Sequence, residues 1–241
     1  MNDISKSVLG PLMRGGKIHL DDRFRKVKVD VGLSWNAPHP EMWLRRESGL
    51  AVFGFEPSGL CFRSFTENSE KMSRLHPNNV FVDPARVGDT FFPVRCALGA
   101  GQARHQDLFV TGNDPGCSSL FRPVKWNVID VESVPLMPLS DFFGAFPWDR
   151  VGHIDQLKVD AQGSDLDVLV GAGDYLRRAV YVTVEHYTDW EYERPEDPEA
   201  IHSLLCGLGF SRIEVSGANS SYVNSSLLHL AGTVDFFTFN S

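Results

Sequence analysis

The chain has 241 residues, 42% of them hydrophobic and 17 of them Phe, enough to bury one large α/β core rather than two small ones. A formal net charge of −8 argues against a nucleic-acid or anionic-membrane partner, because phosphate binding requires a basic face. No apolar run approaches the roughly 20 residues of a membrane span, and residues 1–22 lack the basic-then-apolar pattern of a signal peptide.

Residues 1–24 carry Gly10-Pro11 and Gly15-Gly16 and read as a loosely structured lead-in or partial lid. A strand is expected over 26–33, ending in Asp30-Val31-Gly32. A strand-end acid and a glycine at such a turn leave backbone N–H groups facing a small ligand. A helix opens near Pro38, where the missing N–H costs nothing, and ends before Gly49, read as its C′ residue. The second strand is 50–55, stopped by Pro57, with Glu56 at its end. That is where nucleotide-binding sheets hold a ribose. A helix through Leu60, Phe62 and Phe65, a polar loop at 76–79 and a third strand over 91–98 follow.

Between 101 and 150 the pattern changes. Alternating stretches at 104–110 and 132–136, split by Asn113-Asp114-Pro115-Gly116, predict an antiparallel insertion of the kind that roofs a substrate site. The α/β rhythm resumes with a fourth strand over 154–160 and an exit loop Ala161-Gln162-Gly163. Ser164-x-x-Asp167 then reads as a capping box. A continuous apolar strand follows at 179–184. Asp197-Pro198 opens a helix whose Ile201, Leu204, Leu205 and Leu208 keep helical spacing. Two last strands are expected at 210–215 and 234–239, separated by a polar loop over 217–226, and the acidic run 191–199 reads as a solvated loop. The sum is α/β, with a seven-stranded mixed sheet and a terminal antiparallel hairpin. Four scattered cysteines, Cys61, Cys96, Cys117 and Cys206, with no CxxC pair, read as reduced thiols and a cytoplasmic location.

Asp30-Val31-Gly32, Phe55-Glu56-Pro57, Ala97-Leu98-Gly99, Gly116 to Leu120, Leu139-Ser140-Asp141 and the block Leu157-Lys158-Val159-Asp160-Ala161-Gln162-Gly163 occur in the order seen in FkbM-type methyltransferases, which this chain resembles. The resemblance runs over residues 27–185 and is most specific in the last block, with Glu185 at the next strand end. It implies the class I methyltransferase Rossmann-like fold, a single domain over 25–241, and S-adenosylmethionine as cofactor. It further implies O-methylation of a hydroxyl on a sugar, glycan or glycosylated metabolite. The family pattern Asp-x-Gly-Ala-Asn-x-Gly is altered here: Leu33-Ser34-Trp35-Asn36 follows Gly32, so Asn36 stands where the second glycine belongs. Asn tolerates a left-handed backbone, but its side chain then meets the methionine end of the cofactor.

The expected cofactor contacts are Asp30, Gly32, Ser34, Asn36, Glu56 and Ala97. Glu56 would accept from both ribose hydroxyls, and Asp30 would orient the turn or meet the cofactor's ammonium. The expected catalytic groups are Asp160, Glu185 and His186, at the strand ends where open α/β sheets bind ligands. His186 suits a general base near neutral pH; alternatively the three hold Mg²⁺ to position a sugar diol. His39 is a further candidate facing the site, and Trp148, Tyr187 and Trp190 are candidates for stacking on a sugar. Two other readings remain open at this stage. One is a methyltransferase-like binding module that has lost its cofactor. The other is a nicotinamide-dependent oxidoreductase, disfavoured by the missing G-x-G-x-x-G.

Overall fold

A computed structural model describes residues 1–112, 114–186, 191–195 and 197–231. Its centre is a seven-stranded mixed sheet. In chain order the strands are β1 (Lys26–Val31), β2 (Leu50–Phe55), β3 (Phe91–Val94), β4 (Ile154–Val159), β5 (Ala179–Glu185), β6 (Phe210–Ser216) and β7 (Asn219–Asn224). In space they run β6-β7-β5-β4-β1-β2-β3. Strands β1 to β5 are mutually parallel, and β7 lies antiparallel between β5 and β6. The central strands are buried on both faces, which accounts for their near-continuous apolar sequences. Pro93 lies in β3, an edge strand, where a missing ladder donor is tolerated.

The chain leaves β1 to build β2 and β3 on one side, then crosses back to β4 and β5 on the other. The crevice of such a sheet opens where the order reverses, here at the carboxyl ends of β1 and β4. Helix Pro38–Arg46 begins with Pro as expected, behind a left-handed Ala37 at φ 47°. It is closed by Glu47, and Gly49, at φ +66°, serves the turn into β2 instead of the helix cap. Helix Gly59–Thr66 is followed by a second helix, Ser69–Leu75, which ends at the expected polar loop over 76–79.

Four further expectations are corrected. The lead-in is folded: Asn2 caps helix Asp3–Leu9, Gly15 and Gly16 turn a two-residue hairpin at positive φ, and Leu9, Ile18, Leu20 and Phe24 join the main core. The third strand breaks after Val94, and Ala97–Leu98 pairs in a separate three-stranded sheet with Val128–Met137. The tight turn closed by Cys96 N–H on Val94 O redirects the chain between the two sheets. The stretch 217–226, read as loop, contains β7; its serines are buried and bond locally, Ser221 to Thr183 and Ser220 to His186. The expected strand at 234–239 lies outside the described residues. Ser164 precedes helix Asp165–Ala172 without a side-chain cap. Asp165 takes over by accepting from Ala161 N–H at 2.9 Å. The insertion matches expectation, with Arg104–Thr111 antiparallel to Val128–Met137.

Candidate functional site

The ends of β1, β2 and β4 enclose a narrow cleft, open at its mouth. Gly32, Ser34, Glu56, Ala97 and Asp160 all line it. Gly32 sits at φ +81°, and a Cβ there would stand 1.7 Å from the carbonyl oxygen of Asp160. The floor is therefore bare backbone by steric necessity. The Gly32 N–H does not face a ligand; it donates to Phe55 O at 3.0 Å and extends the ladder. The donors that turn inward belong to Leu33 and Ser34, and they meet the Glu56 carboxylate together with Ser58 N–H, the last at 2.9 Å.

Burial, reinforced by the charge of Asp160 and opposed by those backbone donors, pushes the Glu56 carboxyl up to about 8. A carboxylate offers about four lone-pair sites. Three backbone groups engage Glu56, so capacity remains for a ribose hydroxyl in the cleft.

The altered first turn takes another course from the one expected. The left-handed residues are Ser34 and Ala37, not Asn36. Asn36 swings out of the cleft, where its Nδ2 donates to Val80 O at 2.9 Å and its carbonyl accepts from Val82 N–H. Trp35 also leaves the cleft and packs edge-on against His76 and Phe81. No side chain of the altered turn other than Ser34 lines the cleft.

Behind the cleft lies a buried row of charges. Lys158 Nζ stands 3.4 Å from Asp30 and 3.2 Å from Asp160. Asp30 is fully buried, so it lies beneath the cleft and does not line it. Burial lifts its carboxyl to about 6 against the pull of Lys158. Burial would lift Asp160 too, but Lys158, with Glu185 and Gln162, overrides it and holds the carboxyl near about 2. Asp160 is thus a fixed anion and a poor proton acceptor at neutral pH. His39 Nδ1 lies 4.0 Å from Asp30, and burial together with Lys158 keeps its pKa well below the usual histidine range. It faces Asp30 rather than the cleft.

Glu185 and His186 end β5 beside, not within, the cleft. Glu185 is reached by Gln162 Nε2 at 3.4 Å, and His186 Nε2 lies 2.8 Å from Ser220 Oγ. Among the described residues no group of three His, Cys, Asp or Glu side chains is arranged to hold a metal ion. Trp148 stacks on Tyr175 and donates to Phe143 O at 2.7 Å, which makes it a packing residue. Tyr187 and Trp190 lie outside the described residues.

The insertion forms a roof. Gly116, Ser118, Ser119 and Leu120 line the cleft, and a Cβ on Gly116 would stand 2.5 Å from Ser34 Oγ. Ser119 Oγ donates to Gln162 O at 2.6 Å. Tyr192 OH reaches Gln162 Oε1 at 2.5 Å and Cys117 O at 3.2 Å. Tyr192 is buried, and Glu191 pairs with Lys125, so the front of the acidic run is docked against the roof rather than solvated. Lys158 and Gln162 stand in the most specific block of the resemblance but carried no assigned role, and Tyr192 was not a candidate; its signal was a lone Tyr inside a charged stretch.

The antiparallel β7 between β5 and β6, with a glycine turn and a strand-end acid meeting at the switch point, defines a class I methyltransferase fold. A plain dinucleotide-binding sheet lacks that reversed strand. The Methyltransferase FkbM domain matches residues 38–212, and the chain belongs to that family. A protein named Methyltransferase 1 from Beauveria bassiana (strain ARSEF 2860) is 28% identical over 137 residues, 54% of this chain and 52% of that protein. The chain thus spans about half the length of the curated relative it matches. Among solved structures, a SAM dependent methyltransferase from Aquifex aeolicus aligns at 9% identity and TM-score 0.36, covering 91% of this chain and 88% of that one. The N-terminal domain of human METTL16 in complex with SAH aligns at 10% identity and TM-score 0.38, covering 91% and 66%.

Proposed function

We propose that the chain, acting through residues 25–241 as one unit, is an S-adenosylmethionine-dependent O-methyltransferase whose acceptor is a hydroxyl of a sugar, glycan or glycosylated metabolite. The observation that carries this reading is the convergence of Gly32, Ser34, Glu56, Ala97 and Asp160 on one cleft beneath a serine-bearing roof. The residues fit the cofactor. Glu56 faces the ribose position, the bare Gly32 turn admits close approach, and the fixed Asp160 anion offers a counter-charge to a cationic methionine end. Bound there, S-adenosylmethionine supplies an electrophilic methyl group for in-line displacement by a hydroxyl oxygen.

The protein's own contribution is chiefly positional, since alignment of reacting groups supplies much of the barrier reduction. Ser118 and Ser119 in the roof offer hydroxyls to an acceptor, and the Tyr192–Gln162 contact holds that roof over Asp160 and away from bulk water. Asp160 is not the proton acceptor, because Lys158 keeps it ionised far below neutral pH. Glu185 and His186, at the next strand end, are the groups proposed for that role. Among the described residues no helix is long and apolar enough to cross a membrane. The four unbridged cysteines fit the proposed cytoplasmic location.

The test is incubation with methyl-labelled S-adenosylmethionine and a panel of free sugars, sugar conjugates and amines. Label on a hydroxyl oxygen is the expected product. Transfer confined to amines overturns the acceptor assignment.

A further inference from the structure

Beside the cofactor cleft lies a second hollow, open to solvent. The two share a wall: Ser34 lines the first and Trp35 the second, and Pro115 borders both. The wall is thus part of the altered turn, whose Trp35 faces this second space. Its lining includes Arg63, Lys71, His76 and Asn79.

Arg63 and Lys71 come from successive helices, Gly59–Thr66 and Ser69–Leu75, and both are exposed. Among the described residues neither is in an ion pair. Glu70 is committed to Arg74 at 3.4 Å and Arg95 to Glu132 at 3.1 Å, whereas Glu67, which lines the adjoining hollow with Lys71, is an exposed carboxylate in no ion pair among the described residues. Asp114, the acid in the lining, turns its Oδ1 back to Gly116 N–H at 3.0 Å. Arg63 and Lys71 thus put two cations on the lining of a hollow that adjoins the cleft, in a chain of net charge −8.

We propose that this hollow binds the phosphate of a phosphorylated sugar acceptor, either a simple sugar phosphate or a nucleotide sugar. The inference rests on the methyltransferase reading above and narrows its acceptor. A guanidinium and an ammonium without internal partners suit the several oxygens and the double charge of a phosphate better than a single carboxylate. The Trp35 indole, edge-packed by His76 and Phe81, gives the hollow an apolar wall suited to a sugar or base face.

Calorimetric titration of the full chain with glucose, glucose-6-phosphate and UDP-glucose tests the proposal, using wild type and the R63Q/K71Q variant. At least one phosphorylated ligand should bind about tenfold or more tightly than glucose, and the advantage should fall about tenfold in the variant. It should also weaken with added salt. A response to glucose-6-phosphate identifies the phosphate itself as the recognised group, and a response to UDP-glucose alone identifies a nucleotide sugar. Equal affinity for all three ligands, binding of none, or an advantage that survives in R63Q/K71Q overturns the site. Both replaced side chains are exposed, so the melting temperature should hold and serves as the folding control. S-adenosylhomocysteine is titrated in parallel. If it fails to bind while phosphorylated sugars bind as expected, the enzyme reading falls and this site stands.

Discussion

Replacing Gly32 with Ala is expected to prevent stable folding, with a loss of about 4 kcal/mol or more. Two costs coincide at this residue. Its φ of +81° lies in the left-handed region, which costs a residue with a Cβ about 1–2 kcal/mol. The added carbon would also fall 1.7 Å from the Asp160 carbonyl oxygen, a main-chain atom that cannot rotate aside. Relief requires β1 and β4 to part at their ends, breaking the Asp160 N–H bond to Val31 O at 3.0 Å. Gly152→Ala is the matched control: nothing lies within 4 Å of its Cβ position and its φ needs no glycine. That variant should remain within about 0.5 kcal/mol of wild type. Urea denaturation of both variants measures the contrast. A Gly32→Ala protein as stable as Gly152→Ala would mean that the first turn does not pack on β4 as described.

Lys158→Met should cost about 3–5 kcal/mol near pH 8, because removing one partner of a buried ion pair strands the other charge. Here two carboxylates are stranded, Asp30 at 3.4 Å and Asp160 at 3.2 Å from the ammonium. Without it Asp160 loses what holds it near about 2, and burial drives its pKa upward. Asp30, already raised to about 6 by burial, loses the Lys158 pull that opposes the rise. Both carboxyls then bind protons more tightly in the folded than in the unfolded protein. Such groups stabilise the fold below their unfolded pKa values and cease to do so as pH rises through the folded ones. The variant should therefore recover part of its loss at pH 5.5 relative to pH 8. Chemical denaturation at the two pH values decides. A loss below about 1 kcal/mol at both would contradict the charge row.

The contrast between these two residues shows what a sequence discloses. Gly32 and Glu56 were legible because they stand where apolar strands stop, and strand ends are where an α/β sheet presents polar groups. The bounds of β2, Leu50–Phe55, were read directly from an apolar run closed by Pro57. Lys158 was visible as part of a motif, but its role was not. Its role depends on Asp30, which is remote in the chain and is brought to it by pairing of β1 with β4. Strand β7, Asn-Ser-Ser-Tyr-Val-Asn, was read as loop for the same reason. Strand propensity is settled by the neighbours, and here β5 and β6 offer ladders on both sides. Tyr192 was masked by its charged neighbours, although it is buried and its hydroxyl meets Gln162 under the roof. Asn36 was placed by analogy with a glycine, and the turn avoided that position by bending at Ser34 and Ala37 instead.

The central claim is that Glu56 and the Gly32–Ser34 turn clasp an adenosyl group across one cleft. Calorimetric titration of wild type and Glu56→Gln with S-adenosylhomocysteine tests it most directly. Wild type should bind with a Kd of about 10 μM or tighter, and the variant about tenfold or more weakly, since it loses charge-assisted bonds to the ribose. Because burial lifts Glu56 to about 8, wild-type affinity should rise between pH 6.5 and 8.5 as the carboxyl gives up its proton, whereas the variant should show no such rise. No heat with wild type at millimolar ligand, or equal affinity in the two proteins, would contradict the claim and leave a methyltransferase-like module without its cofactor.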